Sequence, residues 1–161
     1  MSLNVVRFVF LLLLGLLVGT MFGIWAGFNP LGLSATAYVE QQQNAIRSLN
    51  TLLPLMGAAC IVLAVWLAVV AKNERRTRLL LVAAVVCLLV AAVVTRSCNQ
   101  PINAVVITWN AQSPPPQWAQ LRAEWWQWHI VRTVAAIASF GFALAAVLCS
   151  NATDLHHHNA A

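Results

Sequence analysis

Charged side chains are scarce in this sequence of 161 residues: they make up 8% of it, and only four residues are acidic. Hydrophobic residues make up 61%, and the mean hydropathy of +0.78 is far above that of a soluble globular domain. This balance excludes a water-soluble fold and predicts an integral membrane protein. Because one span uses roughly 20 residues, the length allows a single compact bundle without a separate soluble domain.

Cysteines are few, and their spacing does not suit metal or redox chemistry. Cys60, Cys87 and Cys149 lie in apolar runs, where a thiol usually behaves as a small buried hydrophobe, and only Cys98 has polar neighbours. No CxxC motif occurs and no spacing fits a zinc site. We therefore predict no metal and no cofactor. We interpret residues 151–161, with three consecutive histidines, as a flexible tail.

Long apolar runs, by contrast, are abundant and predict four membrane spans. The predicted spans cover approximately residues 8–28, 52–71, 79–95 and 130–149. A cleaved signal peptide is the competing interpretation of the first run, but the run is longer than a usual h-region and no A-x-A site follows it. The predicted fold class is all-α: an integral membrane four-helix bundle with a short cytoplasmic loop and two longer outer loops.

Basic residues concentrate in the short loop 72–78, which contains four of the nine lysines and arginines. By the positive-inside rule this loop is cytoplasmic. Two spans precede it and two follow, so we expect both termini in the cytoplasm as well, in a bacterial inner membrane. We interpret the net charge of +5 as a signal that orients the chain in the bilayer, and we do not expect nucleic acid as a partner.

A stretch of aromatic and polar residues, Trp125 to Arg132, opens the fourth span. On a helix Trp125, His129 and Arg132 fall on one stripe, which combines an aromatic face, a titratable ring and a permanent positive charge. Such a stripe is typical of a site. The alternative is that the tryptophans belt the membrane interface and that Arg132 reaches the lipid headgroups.

Two further polar segments lie on the same predicted side of the bilayer, residues 40–50 and residues 96–103. In the second, Pro101 cannot donate a hydrogen bond to the carbonyl of Ser97, so the helix must break or kink there. An ordinary connecting helix and an ordinary helix end remain the alternatives. Convergence of the three segments predicts a pocket over the outer ends of the bundle. Arginine and indole groups there favour a planar, electron-rich or anionic molecule.

The motif Asn99-Gln100-Pro101-Ile102-Asn103 after the third span, followed by Trp128-His129-x-x-Arg132, resembles the family of small four-helix integral membrane proteins that includes the fungal anthrone oxygenases. The resemblance covers most of the chain, including the glycine-rich first helix and the polar segment after it. It implies a four-helix membrane bundle. In some members it implies cofactor-independent oxidation of an anthrone to an anthraquinone.

Such chemistry needs a base, cations that stabilise a carbanion, and a dry aromatic pocket in which dioxygen can react. The residues that match these needs are His129 as the base, Arg132 and Arg96 as the anion-binding cations, Asn99 and Asn103 as hydrogen-bonding groups, Trp125 and Trp128 as walls, and Gln43 and Arg47 as further substrate contacts.

Two functions stay open at this stage. The first is a membrane-embedded anthrone oxygenase-like protein that binds or oxidises a lipophilic aromatic or quinone-type molecule on the non-cytoplasmic side. The second is a non-enzymatic bundle that binds a lipid, a quinone or a partner protein, or forms a homo-oligomer. Gly15, Gly19 and Gly23 recur at every fourth position and favour the second if their face points outward. A transporter is disfavoured because no span has a polar residue near its midpoint.

Overall fold

The computed structural model describes residues 2–158, with the side chains of residues 2–150. Its α-helices are α1 (Leu3–Gly27), α2 (Ala35–Leu49), α3 (Leu52–Val70), α4 (Arg75–Val94), α5 (Gln100–Val106) and α6 (Trp118–His158). A 3₁₀ turn, Pro30–Gly32, precedes α2, and a π-helical turn, Thr95–Asn99, joins α4 to α5. The tail predicted for residues 151–161, with its histidines, lies outside the residues whose side chains are described.

Among the residues that the structure describes, four helical segments are long and apolar enough to cross a membrane. They are Leu3–Gly32, Leu52–Val70, Arg75–Val106 and Trp118–Ser150. Large apolar side chains cover their outer surfaces, among them Phe8, Val62 and Leu148, each exposed by about two thirds. Exposure of so much apolar surface is unfavourable in water, whereas the same surface is compatible with contact to lipid tails. The predicted all-α, four-helix integral membrane protein is therefore confirmed.

The spanning helices pack in a ring in the order α1, α3, α4, α6, and α6 returns to contact α1. Small residues fill the centre of the ring, with Cys60, Ala64, Ala84 and Ala136 fully buried. In lipid, helix association depends on close van der Waals packing and on interhelical hydrogen bonds, and small residues permit both. Ser139 on α6 supplies one such bond, 2.9 Å from its Oγ to the carbonyl of Ala84.

The two ends of the bundle differ in chemistry. At the basic end, residues 71–74 connect α3 to α4, and the lysine and arginine side chains of residues 72–78 are exposed. Arg7 near the start of α1 donates there to Ser150 Oγ on α6 at 2.6 Å. At the polar end lie α2, the π turn, α5 and the start of α6. Asn99, Asn103, His129 and Arg132 all belong to the polar end.

The third span extends beyond Thr95, where the sequence pattern predicted its end, and continues through the π turn to Val106. The π turn accommodates Pro101 within the helix. Proline has no N–H and its ring clashes with the carbonyl four residues earlier, so one widened turn relieves the clash without ending the helix. Gln100 N–H donates to the carbonyl of Thr95, five residues back. The widened turn carries Asn99 into the bundle, where it is fully buried.

Candidate functional site

Arg132 and His129 form the centre of the polar end, one turn apart on α6. The Nε and Nη2 groups of Arg132 donate to His129 Nδ1 at 3.2 and 3.0 Å, and Nη1 donates to Thr95 Oγ1 at 3.3 Å. On the opposite edge of the imidazole ring, His129 Nε2 lies 3.2 Å from the backbone carbonyl of Met21. These bonds join α1, the π turn and α6 in one network.

The partners of His129 assign its protonation state. A guanidinium has only donors, so Nδ1 accepts from Arg132, and a carbonyl oxygen only accepts, so Nε2 carries the proton and donates to Met21. The ring is therefore neutral and both of its nitrogens are engaged. Such a histidine is well placed to orient the guanidinium that it faces.

Two indole rings enclose the histidine. The Trp125 ring stacks on it with a centroid distance of 5.0 Å and an interplanar angle of 3°, and Trp126 lies at 5.7 Å and 23°. The helical spacings of four and three residues place both indoles against the same imidazole. Trp125 also lies 5.8 Å from the guanidinium carbon of Arg132. The aromatic shell limits access of water, which strengthens electrostatic interactions inside it.

Arg132 is a buried cation, 8% exposed, and its hydrogen-bond partners in the described part of the chain are the neutral His129 ring and the Thr95 hydroxyl. Burying an ion without an opposite charge costs roughly several kcal/mol. A guanidinium has five N–H groups, and the bonds to His129 and Thr95 use three of them. Two donors and a full positive charge therefore remain for a ligand.

A chain of amides connects α2 to α5 beside this cation. Gln42 Nε2 donates to Asn103 Oδ1 at 3.1 Å, and Asn103 Nδ2 donates to Asn50 Oδ1 at 2.8 Å. Gln42 and Asn103 are both buried. These two hydrogen bonds hold the Asn103 side-chain amide in one orientation. Its Nδ2 group has a second N–H, which remains able to donate.

Asn99 joins the π turn to the start of α6. Its Nδ2 donates to the backbone carbonyl of Trp125 at 3.0 Å, and its side chain is fully buried. Its Oδ1 has no hydrogen-bond partner among the described residues. Asn99 therefore fixes the backbone that presents the Trp125 indole to His129.

A polar cavity of about 280 Å³ lies between α2, the start of α3, α5 and α6. We call it the polar cavity because of its polar lining residues, Gln41, Gln42, Asn44, Ser48, Asn50, Thr95, Asn103 and Arg132. Apolar residues make up the larger part of its wall; they are Ile24, Phe28, Pro30, Ala45, Ile46, Leu49, Leu53, Pro54 and Trp125. Asn44 and Ser48 are exposed. The cavity thus extends from the surface of α2 to the guanidinium of Arg132.

A membrane cavity of about 250 Å³ lies among the four spanning segments. We define it by Leu17, Met21, Leu53, Pro54, Gly57, Ala58, Ile61, Leu88, Ala91, Ala92, Thr95, Arg96, Gln100, Arg132 and Ala136, most of which are apolar. Leu53, Pro54, Thr95 and Arg132 line both cavities. Arg132 therefore stands where the two cavities adjoin.

The predicted site residues fall into two groups. Those in contact with the cavities or with the network around Arg132 are Arg96, Asn99, Asn103, Trp125, His129 and Arg132. The others, Gln43, Arg47 and Trp128, line neither cavity. Gln43 donates its amide N–H groups to backbone carbonyls at the end of α5 and just beyond it, whereas Arg47 is exposed on α2.

Several members of the site escaped the sequence analysis. The contact of Trp126 with His129 could have been predicted from the sequence, because Trp126 lies three residues before His129 on the same helix. Gln42 lies within the polar segment 40–50, but Gln43 and Arg47 were the residues predicted there. Thr95 and the Met21 carbonyl had no signal in the sequence, since only the packing of α1 and the π turn against α6 brings them to the network.

Comparison with known proteins identifies one family. A comparison with curated proteins finds no match, and neither does a comparison with solved structures. The family model described as anthrone oxygenase matches residues 42–142. This region is more than half of the chain and contains Gln42, Thr95, Asn103, Trp125, His129 and Arg132. The chain therefore belongs to the anthrone oxygenase family.

Proposed function

We propose that the chain binds the enolate or phenolate form of a planar, lipophilic aromatic ketone or phenol, and that dioxygen oxidises the bound anion. The observation that supports this most directly is the buried Arg132 guanidinium, whose partners in the described structure are neutral. A ligand oxygen with negative charge would supply the missing counter-charge. The flanking indoles suit a planar aromatic body.

The overall oxidation of an anthrone balances with dioxygen alone. The ring methylene carbon loses two hydrogens and gains one oxygen atom, while the second oxygen atom leaves as water with those two hydrogens. Four electrons pass from the substrate to dioxygen. Loss of the first proton generates the enolate, and Arg132 favours this step because its charge stabilises the anion more than the neutral ketone.

We assign His129 a positioning role. Its Nδ1 lone pair accepts from Arg132, so the ring holds the guanidinium in place and is not free to take the substrate proton. The polar cavity extends to exposed Asn44 and Ser48, so we propose that the proton leaves to water on that side.

We also place the site on the non-cytoplasmic side of the membrane. The polar end lies opposite the exposed basic residues 72–78, which the positive-inside rule assigns to the cytoplasm. A membrane-impermeant cysteine reagent tests this placement through Ser48→Cys and Asn73→Cys in intact cells. Labelling of the first alone supports it, and labelling of the second alone overturns it.

The central experiment compares Arg132→Gln and Arg132→Lys with the wild type in lipid nanodiscs. Binding of a hydroxyanthraquinone, followed by its absorbance, should weaken roughly 100-fold in Arg132→Gln and less in Arg132→Lys, because truncating a buried charge partner costs about 2–5 kcal/mol. Arg78→Gln, exposed at the basic end, should bind like the wild type. Equal affinity in Arg132→Gln would overturn the proposal. Binding without uptake of dioxygen in the presence of anthrone would favour the non-enzymatic alternative.

His129→Gln separates positioning from base catalysis. A glutamine amide can accept from Arg132 and donate to the Met21 carbonyl, but it cannot accept a proton at neutral pH. We expect turnover within about tenfold of the wild type, and a much larger loss in His129→Leu, which keeps neither bond. Equal and complete loss in both variants, with binding intact, would show that His129 is the base.

A further inference from the structure

The membrane cavity reaches the surface at a position that lipid would cover. Its exposed lining residues are Ala58 on α3 and Ala92 and Arg96 on α4 and the π turn. Its inner wall is made by buried Leu17 and Met21 on α1 and by Arg132 on α6. The cavity thus runs from the gap between α3 and α4 across the bundle.

Small side chains create this gap. Gly57 and Ala58 on α3 and Ala91 and Ala92 on α4 line the same cavity, and a helix pair with such residues leaves space that larger side chains would fill. All of these residues belong to spanning segments. The gap therefore lies at membrane depth, where it is open to molecules dissolved in the bilayer.

The two cavities give Arg132 two different surroundings. The polar cavity includes residues of α2, which is not part of any spanning segment, whereas the membrane cavity is formed by the four spanning segments alone. Arg96 is exposed at the mouth of the membrane cavity, four residues after Ala92 on the same side of the helix. A lipophilic molecule with a phenolic or ketonic oxygen would meet the guanidinium of Arg96 first and that of Arg132 second.

We propose that the membrane cavity is a lateral entrance through which a planar apolar aromatic molecule passes from the bilayer to Arg132. This inference rests on the proposed function for the identity of the molecule. The entrance itself rests on the cavity, the small residues at its mouth and the position of Arg132 at its inner end. The polar cavity serves exchange with water.

Photolabelling tests the entrance without any need for turnover. The full-length protein in nanodiscs is irradiated with an apolar aryl diazirine dissolved in the lipid, and adducts are mapped by mass spectrometry. We expect adducts on Leu17 and Met21, which are only 5% and 4% exposed. Ala58→Trp, which fills the mouth, should lower these adducts at least fivefold, and Ala92→Trp serves if the first variant does not fold.

Matched variants separate the possible results. Ala59→Trp, on the outer surface of α3 and outside both cavities, should leave the adducts on Leu17 and Met21 unchanged. No adducts in the wild type, or adducts lost in Ser48→Trp but kept in Ala58→Trp, would overturn the entrance. Labelling requires no ligand at Arg132, so its result does not depend on the binding experiment with Arg132→Gln. Equal ligand affinity of Arg132→Gln and the wild type would overturn the proposed function and leave the entrance intact.

Discussion

Tyr38 on α2 is an example of a polar side chain that is buried away from water at the polar end. Its side chain is 1% exposed, its hydroxyl has no hydrogen-bond partner among the described residues, and its ring lies 6.3 Å from that of Trp118. Burial raises the pKa of Tyr38 to about 12, although the nearby Arg122 guanidinium opposes the rise. Arg122 itself lies over Trp118 at 4.6 Å and donates to the carbonyl of Leu33.

Replacing Tyr38 with phenylalanine should therefore change the response to alkaline pH. A raised pKa means that the folded state resists ionisation, so the contribution of Tyr38 to stability is complete below about pH 10 and is lost as the pH rises toward about 12. The loss should be of order 2 kcal/mol. In Tyr38→Phe, chemical unfolding in detergent should show little change at pH 8 and a smaller alkaline loss. An identical alkaline loss in both proteins would contradict the assignment.

Thr95 holds the guanidinium of Arg132 from the side opposite His129. Its Oγ1 accepts from Arg132 and donates to the carbonyl of Ala91 at 2.8 Å. Thr95→Val keeps the shape and removes the acceptor, so the free energy of unfolding should fall by about 1.5–3 kcal/mol, as expected for a hydrogen bond to a charged group. Thr95→Ser keeps the hydroxyl and serves as the control. Equal stability of the valine and serine variants would show that this hydrogen bond contributes nothing.

Among the elements, the short helix α5 is joined to a neighbour by a side chain. It has only seven residues, and the carbonyls of its last turn accept from backbone N–H groups of the residues that follow, Val106 from Trp109 among them. Gln43 of α2 adds further bonds at this end: its Nε2 lies 3.1 Å from the carbonyl of Val106 and 2.8 Å from that of Trp109, just beyond the helix. The same contact holds α2 over the polar cavity. Gln43 thus acts on the site through the position of two helices.

Gln43→Glu should loosen this part of the fold, because a carboxylate cannot donate to a carbonyl and is repelled by it. Hydrogen–deuterium exchange of residues 100–109 should become faster by roughly tenfold, which corresponds to about 1.4 kcal/mol of lost protection. Gln120→Glu, exposed on α6, is the matched control and should leave exchange there unchanged. Unchanged exchange in Gln43→Glu would mean that α5 is held by other contacts.

At the scale of the whole molecule, the glycine face of α1 is divided between two environments. A Cβ atom at Gly15 would lie 3.7 Å from the ring of Phe140 on α6, whereas one at Gly19 or Gly23 would meet nothing within 4 Å. The face therefore packs inside the bundle at Gly15 and is open from Gly19 onward. At Gly19 and Gly23 the glycine face points outward, which is the condition under which the glycine spacing favours binding of a partner protein or a second copy of the chain.

The variants Gly15→Leu and Gly19→Leu test whether the two glycines lie in different environments. In the first, the added Cβ already lies in van der Waals contact with Phe140, and the leucine atoms beyond it crowd that ring, so the unfolding midpoint should drop by an amount equivalent to about 1–3 kcal/mol. In the second, the monomer should be as stable as the wild type or slightly more so, because leucine favours a helix over glycine by up to about 1 kcal/mol. Loss of stability in Gly19→Leu, together with dissociation of a dimer, would reveal a second copy on this face.

The broad architecture followed from the sequence because it depends on composition and period alone. Four long apolar runs must form helices that satisfy their own backbone hydrogen bonds in lipid, and the motif from Asn99 to Asn103 with Trp128, His129 and Arg132 indicated the family. The same reasoning predicted that the aromatic and cationic residues at the start of α6 share one stripe. Their helical spacing is a local property of the chain.

The tertiary structure decided which polar residues share the network around Arg132 and which protonation state His129 adopts. Tyr38, Val39 and Gln42 form the buried side of α2, so Gln42 reaches Asn103 while Arg47 points outward, a rotation that the helical period alone could not settle. The π turn then brings Thr95 to Arg132, and the Met21 carbonyl approaches His129 from α1. Hydrogen bonds between elements distant in sequence depend on how the helices pack, and that information is not local to any segment.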